Sequence, residues 1–341
     1  MIDKRLKVGV LTLAVVLIIN VLFRFVPTIY DVVYFRGLFQ GIRVLHDYSL
    51  GLLPFPSIYI ALIAFLWYFF RDVKASIKSW ANSILRFLIW VVIAFYVLWG
   101  YNYNQKPLHQ QIGWELPTLD STYITDEFRL QTQKLISLKD SMTGQTTQRF
   151  FIEHKLRPLQ EQLLSEWNIP VHGRVRVRYL IPGSLLHFRT SGIYIPHSIE
   201  GHIDGGLYYK QHPFTIAHEM SHGYGITDES VANFVAYLTC LRSDDPGIVY
   251  SAELAYWRYL AGYYKYFHSD TWTDEYNNLD VRIIQDLNLI SNHIKKYKDW
   301  MPKYRDIIYD NYLKTHGVKA GIKSYDQMIL LIAAYKNQQK G

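Results

Sequence analysis

His218-Glu219-Met220-Ser221-His222 sets two imidazoles four residues apart with a carboxylate between them. On a helix, residues at that spacing lie one above the other on the same face. Both rings then reach one metal ion, and Glu219 projects beside it. The chemistry this pattern supports is that of a zinc hydrolase. His218 and His222 would hold Zn2+, and Glu219 would act as general base towards a zinc-activated water.

A catalytic zinc usually has three protein ligands and one open position. Two adjacent acids compete for the third place. Ten residues after His218, past Gly225, stands Asp228, where a metzincin pattern (HExxHxxGxxH) has its last His. Next comes Glu229, which opens Glu229-Ser230-Val231-Ala232-Asn233. That continuation resembles the glutamate-ligand zinc peptidases, whose third ligand stands on a second helix. Asp is a good helix N-cap, and Glu229 and Asn233 would share a face of the helix Asp228 begins. We therefore expect Glu229 as the third ligand, Asp228 as its cap and alternative ligand, and Asn233 hydrogen-bonded to a ligand histidine, fixing its tautomer. His187, His197, His202 and His212 read as surface or loop residues. Hydrolysis also needs an oxyanion stabiliser, which position alone does not single out among 28 tyrosines.

The elements that must position these residues can be read around them. Pro213 suits a helix start, and Gly223 and Gly225 mark its end. Val175 to Ile181 alternates and is β-branched, the pattern of a strand, closed by Pro182-Gly183. Arg189 to Pro196 is a second strand candidate, equally an ordinary sheet strand or the edge to which an extended peptide would add itself. Thr122 to about Trp167 reads as helix, as do residues 251–268, 273–289, 304–315 and 324–337. The fold class expected for residues 122–341 is α+β: a mostly helical, zincin-like domain with a small β-sheet.

The N-terminal third has a different composition. Three uncharged apolar runs predict membrane helices at about 8–26, 50–70 and 84–101, with a linker over 102–121 carrying Pro107 and Pro117. Trp80, Trp99, Tyr101 and Tyr103 fit an aromatic belt. Lys4, Arg5 and Lys7 before the first run, and Arg71, Lys74, Lys78 and Arg86 between the second and third, orient the N-terminus to the cytoplasm. Everything after Tyr101 would then lie outside. Between the first two runs, Tyr34, Phe35, Leu38, Phe39, Ile42 and Leu45 recur at helical spacing, which suits a segment lying along the membrane interface. The net charge of +7 includes this anchoring set, so no nucleic acid partner is expected. Cys240 is the single cysteine, which excludes an intrachain disulfide, and it reads as a packed helix residue.

The chain also resembles a bacterial family of membrane proteins, domain of unknown function 3810. The resemblance rests on Pro213-Phe214-Thr215 ahead of Ala217-His218-Glu219, on His222, Gly225, Glu229, Ala232 and Asn233, and on Leu53-Pro54 and Trp99-Gly100-x-Asn102. Gly321-Ile322-Lys323-Ser324-Tyr325 near the C-terminus matches as well. It covers nearly the whole chain, departing at Pro196 to Glu200. It implies a three-pass protein of the bacterial cytoplasmic membrane with an extracytoplasmic, zinc-metallopeptidase-like domain, and an acid at Glu229. The expected function is hydrolysis of peptide or protein substrates by a membrane-anchored, gluzincin-like zinc metallopeptidase. The alternative is a non-catalytic, zinc-stabilised scaffold for an envelope partner.

Overall fold

Prolines, more than apolarity, decide which N-terminal runs become long helices. In the computed structural model, which describes residues 4–70, 77–142, 151–302 and 327–340, the first run forms α1 (Lys4–Phe25). The helical path resumes at Pro27–Ile29, passes through π-helix at Tyr30–Leu38 and ends in α2 (Phe39–Asp47). The second run, expected to cross as one helix over about 50–70, does not do so. Leu50–Leu52 is a 3-10 turn, Pro54 and Pro56 follow, and α3 occupies only Ile58–Phe70. A residue before proline is pushed out of the helical region. The 13 residues of α3 span about 20 Å, against a hydrocarbon core of about 30 Å. The third run lies in α4 (Ile77–Leu98), which begins well before the expected position 84. Among the described residues, α1 and the Trp80–Leu98 part of α4 are the two helices long and apolar enough to cross a membrane.

The chain divides into two compact units. The first holds residues 1–106 with two later segments, His172–Arg178 and Tyr194–Gly201; the second holds the remainder. Within the first, α1 and α4 pack side by side and run in the same direction. Gly9 abuts Ile89, the Tyr101 hydroxyl donates to the Val16 carbonyl at 3.0 Å, and Asn104 donates to Asn20 at 2.9 Å. Residues 102–121, expected as linker, include a buried Asn102 that accepts from the Tyr30 hydroxyl, and a short helix at Leu108–Gln111.

The second unit is mostly helical. The stretch expected as one helix from Thr122 to Trp167 supplies α5 (Ser121–Ser141), capped by Asp120, and α6 (Ile152–Glu166). The site helices are α7 (His212–Gly223) and α8 (Glu229–Leu241). They are followed by α9 (Pro246–Phe267), a short helix at Trp272–Asn277, α10 (Val281–Lys295) and α11 (Gln327–Lys340). The helix expected over 273–289 is two pieces because Asp280 caps a new start, accepting from the Arg282 amide. The helix expected over 304–315 and the Gly321–Tyr325 motif lie outside the described residues. After Glu229, α8 has no charged residue, and Ser230 to Cys240 are all buried. It is the core helix of its unit, and Cys240 is packed as expected.

Three strands, β1 (Val177–Leu180), β2 (Gly192–Ile195) and β3 (Glu200–Asp204), form one sheet in the order β1-β3-β2. The first two fall inside the expected strands. The central strand, β3, was not expected because its residues are Glu200, Gly201, His202, Ile203 and Asp204, all buried. Its acids are satisfied locally, which makes a polar central strand tolerable. Glu200 accepts from the Ser57 amide and hydroxyl and pairs with Arg178. Asp204 accepts from the amides of Gly183, Leu185, Leu186 and Gly206.

Candidate metal centre

Pro213 lies in the first turn of α7, where a missing amide costs nothing. The free amide of Phe214 is taken by the Ser251 hydroxyl of α9 at 3.1 Å. From α6, Gln160 donates to the Ala217 carbonyl at 2.9 Å and to the Ser221 hydroxyl at 2.7 Å. Tyr224, just past α7, donates to Glu161 at 2.9 Å. These bonds fix the rear of α7, so its rotation about its own axis is set before any ligand arrives.

Its front carries the site. His218 Nε2 and His222 Nε2 stand 3.1 Å apart. Glu229 Oε2, from the first turn of α8, lies 3.2 Å from the first and 3.6 Å from the second. Among the described residues these three side chains form the only cluster of His, Cys, Asp or Glu able to share one metal ion. Four tetrahedral ligands at bond lengths of 2.0–2.1 Å would be separated by about 3.3–3.4 Å, which is the average spacing found here. The donor set, two imidazole nitrogens and one carboxylate oxygen, is one that zinc accepts. The residues fit the ion.

Gly225 explains how the second histidine is aimed. Its φ of +92° is readily reached by glycine and strained for other residues. The turn brings the Ile226 carbonyl back over α7, where His222 Nδ1 donates to it at 2.7 Å. A histidine protonated on Nδ1 presents the Nε2 lone pair to the cluster. Asn233, one turn after Glu229, stands beside His218 and raises its basicity. Its amide nitrogen donates to the Tyr259 hydroxyl at 3.0 Å.

Asp228 is a cap and not a member of the cluster: its side chain accepts from the Val231 amide at 3.0 Å. Of the two acids considered as third ligand, the geometry therefore brings Glu229 to the histidines and leaves Asp228 aside. The remaining histidines serve elsewhere. His187 pairs with the Lys298 carbonyl and stacks on Trp300, His197 pairs with the Val91 carbonyl, and His212 with that of Leu207. His202, expected at the surface or in a loop, is fully buried on β3, and His212 is buried too.

Electrostatics divides the four groups. Burial raises the Glu219 carboxyl to about 8, with His222 opposing the rise and Glu229 adding to it. Glu219 Oε2 is buried without a hydrogen-bond partner among the described residues. Burial lowers His218, against the pull of Glu229. Burial would lower His222 too, but the charge and hydrogen bond of Glu229 outweigh it and lift the imidazole to about 9. Glu229 itself is held well below the usual carboxylate range, since His222 and His218 overcome its desolvation. Without a cation the cluster is thus an imidazolium–carboxylate pair beside an unpartnered carboxyl group.

A family model described as "Protein of unknown function (DUF3810)" matches residues 34–333. The chain belongs to the DUF3810 family. The matched residues of this DUF3810 protein take in the whole His218–His222–Glu229 cluster and leave α1 outside. No curated protein and no solved structure matches the chain.

Two residues at the DUF3810 site had no sequence signal. Gly192, at the start of β2, touches Glu219 so closely that a Cβ there would lie 2.4 Å from Oε1. Tyr259 accepts from Asn233, and no acceptor for its own proton is found among the described residues. Its hydroxyl is raised to about 12 by burial and by the nearby Glu229 charge, so it stays a donor at neutral pH.

Proposed function

We propose that this DUF3810 protein is a membrane-anchored zinc metallopeptidase of the glutamate-ligand type, acting on peptides or proteins outside the cytoplasmic membrane. The convergence of His218 Nε2, His222 Nε2 and Glu229 Oε2 within 3.1–3.6 Å, with Glu219 beside them, carries this reading. His218, His222 and Glu229 would hold the ion. A bound zinc supplies Lewis acidity, polarising a carbonyl and lowering the pKa of water at the site. Glu219, beside the cluster and with no hydrogen-bond partner for Oε2 among the described residues, would accept the proton from water and later release it to a leaving amine. Tyr259 offers its uncommitted proton to an oxygen that gains negative charge during reaction. β2 lies at the edge of the sheet and begins against Glu219, which suits an extended substrate pairing with its backbone.

The three-pass topology rests on parity. Two parallel helices, α1 and α4, crossing in the same direction require a return crossing between them. The apolar α3 and its approach supply the apolar chain for that return. Basic residues precede both parallel helices or lie at their starts, with Lys4, Arg5 and Lys7 at one and Lys78 at the other, which supports an orientation with both starts in the cytoplasm.

Burial supplies one argument for a second reading, a zinc-stabilised scaffold without activity: Glu219 is only 3% exposed. The experiment that separates the two is Glu219→Gln in the full chain. Loss of peptide hydrolysis with zinc retained supports the peptidase. Zinc retention with unchanged biological function in that variant supports the scaffold.

A further inference from the structure

Helix α2 is built inside out. From Gly37 to Pro56 the only formally charged side chains are Arg43 and Asp47, and each is 1% exposed. Gln40 and His46 are buried with them. The outward side chains of the same stretch are Leu38, Leu45, Tyr48, Leu50, Leu52, Pro54 and Phe55, with Leu45 73% exposed, together with Ser49, whose hydroxyl donates to the Leu45 carbonyl. A helix on a water-facing surface shows the opposite arrangement, apolar stripe inward and charges outward.

The buried polar face has partners. Arg43 donates to the His172 carbonyl, and Asp47 accepts from the Arg174 amide at 2.7 Å. Just beyond the helix, Arg176 and Arg178 donate to the Gly51 carbonyl at 3.0 and 2.8 Å, and Arg178 also to that of Leu53. Arg43 and Asp47 thus hold His172–Arg178, a segment of the same unit, while Gln40 donates to the Phe35 carbonyl at 2.9 Å. What the outward face meets must be satisfied by an uncharged, mostly apolar surface.

We infer that α2 and the turn after it lie in the bilayer, polar face clamping residues 172–178 and apolar face against lipid hydrocarbon. The inference rests on α1 and α4 crossing the membrane. Those helices and the stretch that joins α1 to α2 show the same outward apolar side chains: Leu11, Ile18 and Leu88 on the helices, and Ile29, Val32 and Val33 on the connecting helical stretch. The exposed charges on that stretch, Asp31 and Arg36, neutralise each other at 2.9 Å. A soluble partner protein would not need charge to be excluded so completely, whereas hydrocarbon does.

Site-directed spin labelling tests this in the full chain, reconstituted into vesicles of phosphatidylethanolamine and phosphatidylglycerol. Cys240 is fully buried and does not compete for label, which unlabelled wild type verifies. Labels at Leu45→Cys and Leu52→Cys are compared with Leu11→Cys on α1 and Tyr266→Cys, 80% exposed in the other unit. Both replaced leucines point outward, so folding is preserved. The expected result is that oxygen relaxes the labels at 45 and 52 more than a water-soluble nickel complex does, as at 11 and opposite to 266. Nickel dominance at 45 and 52 alone overturns the inference and leaves the crossing helices intact; nickel dominance at 11 as well overturns the crossing itself. Exclusion of both reagents at 45 and 52 overturns it in favour of a covering protein.

Discussion

Two buried ionic clusters in the second unit use similar groups to opposite ends. At Asp286, the carboxylate receives Lys210 at 2.8 and 2.9 Å, the Tyr208 hydroxyl at 3.0 Å, the Tyr250 hydroxyl at 2.6 Å and Lys139. Both carboxylate oxygens are satisfied, and the hydrogen bonds outweigh desolvation to hold this acid below its usual range. At His218, His222 and Glu229 the ligating atoms face one point, the two Nε2 atoms are 3.1 Å apart, and Glu219 Oε2 has no hydrogen-bond partner among the described residues. The first cluster is complete with the protein's own atoms. The second gathers three ligating side chains on one point, the arrangement a metal ion would take, and that difference separates a staple from a candidate site.

Changes at the two clusters should therefore be read by different instruments. Replacing Glu219 with Gln should cut peptide hydrolysis by about 10²–10⁴-fold while zinc stoichiometry holds, measured by turnover and metal analysis. Tyr259→Phe comes next: a fall in kcat of about 10²-fold with little change in KM, because the lost donor acts on charge that develops during reaction. At the other cluster, Asp286→Asn leaves two lysines short of a counter-charge and should cost about 3 kcal/mol in denaturant unfolding, with zinc affinity unchanged. The pH sign follows from the lowered carboxyl. Its contribution is present above the unfolded value of about 3.9 and lost as pH falls towards the folded one, so the variant should lose part of the acid-side stability slope. The smallest effect belongs to Asp228→Ala, about 1 kcal/mol of stability through a lost cap, with the metal still bound. Loss of zinc in that variant would promote Asp228 from cap to ligand.

How much of this was legible in the sequence depends on whether a feature is local. The spacing of His218, Glu219 and His222, the cap at Asp228 and the turn at Gly225 are all set within one or two helical turns, and the structure keeps them. Strand β3 was hidden because Glu200, His202 and Asp204 give no apolar alternation, and the groups that offset the desolvation of Glu200 include Ser57, 143 residues away. The second apolar run was overread because hydropathy is blind to Pro54 and Pro56, whereas backbone geometry is not. Tyr259 is one of 28 tyrosines, and only its meeting with Asn233 across two helices distinguishes it.

The most direct test of the central claim is zinc titration of the metal-stripped full chain, followed by calorimetry, beside His222→Ala and Glu229→Ala. The account predicts about one zinc per chain for the wild type, with affinity falling by a factor of ten or more in each variant, and at Asp286→Asn no change. Equal zinc binding by wild type and both ligand variants, or none by a folded wild type, would contradict it.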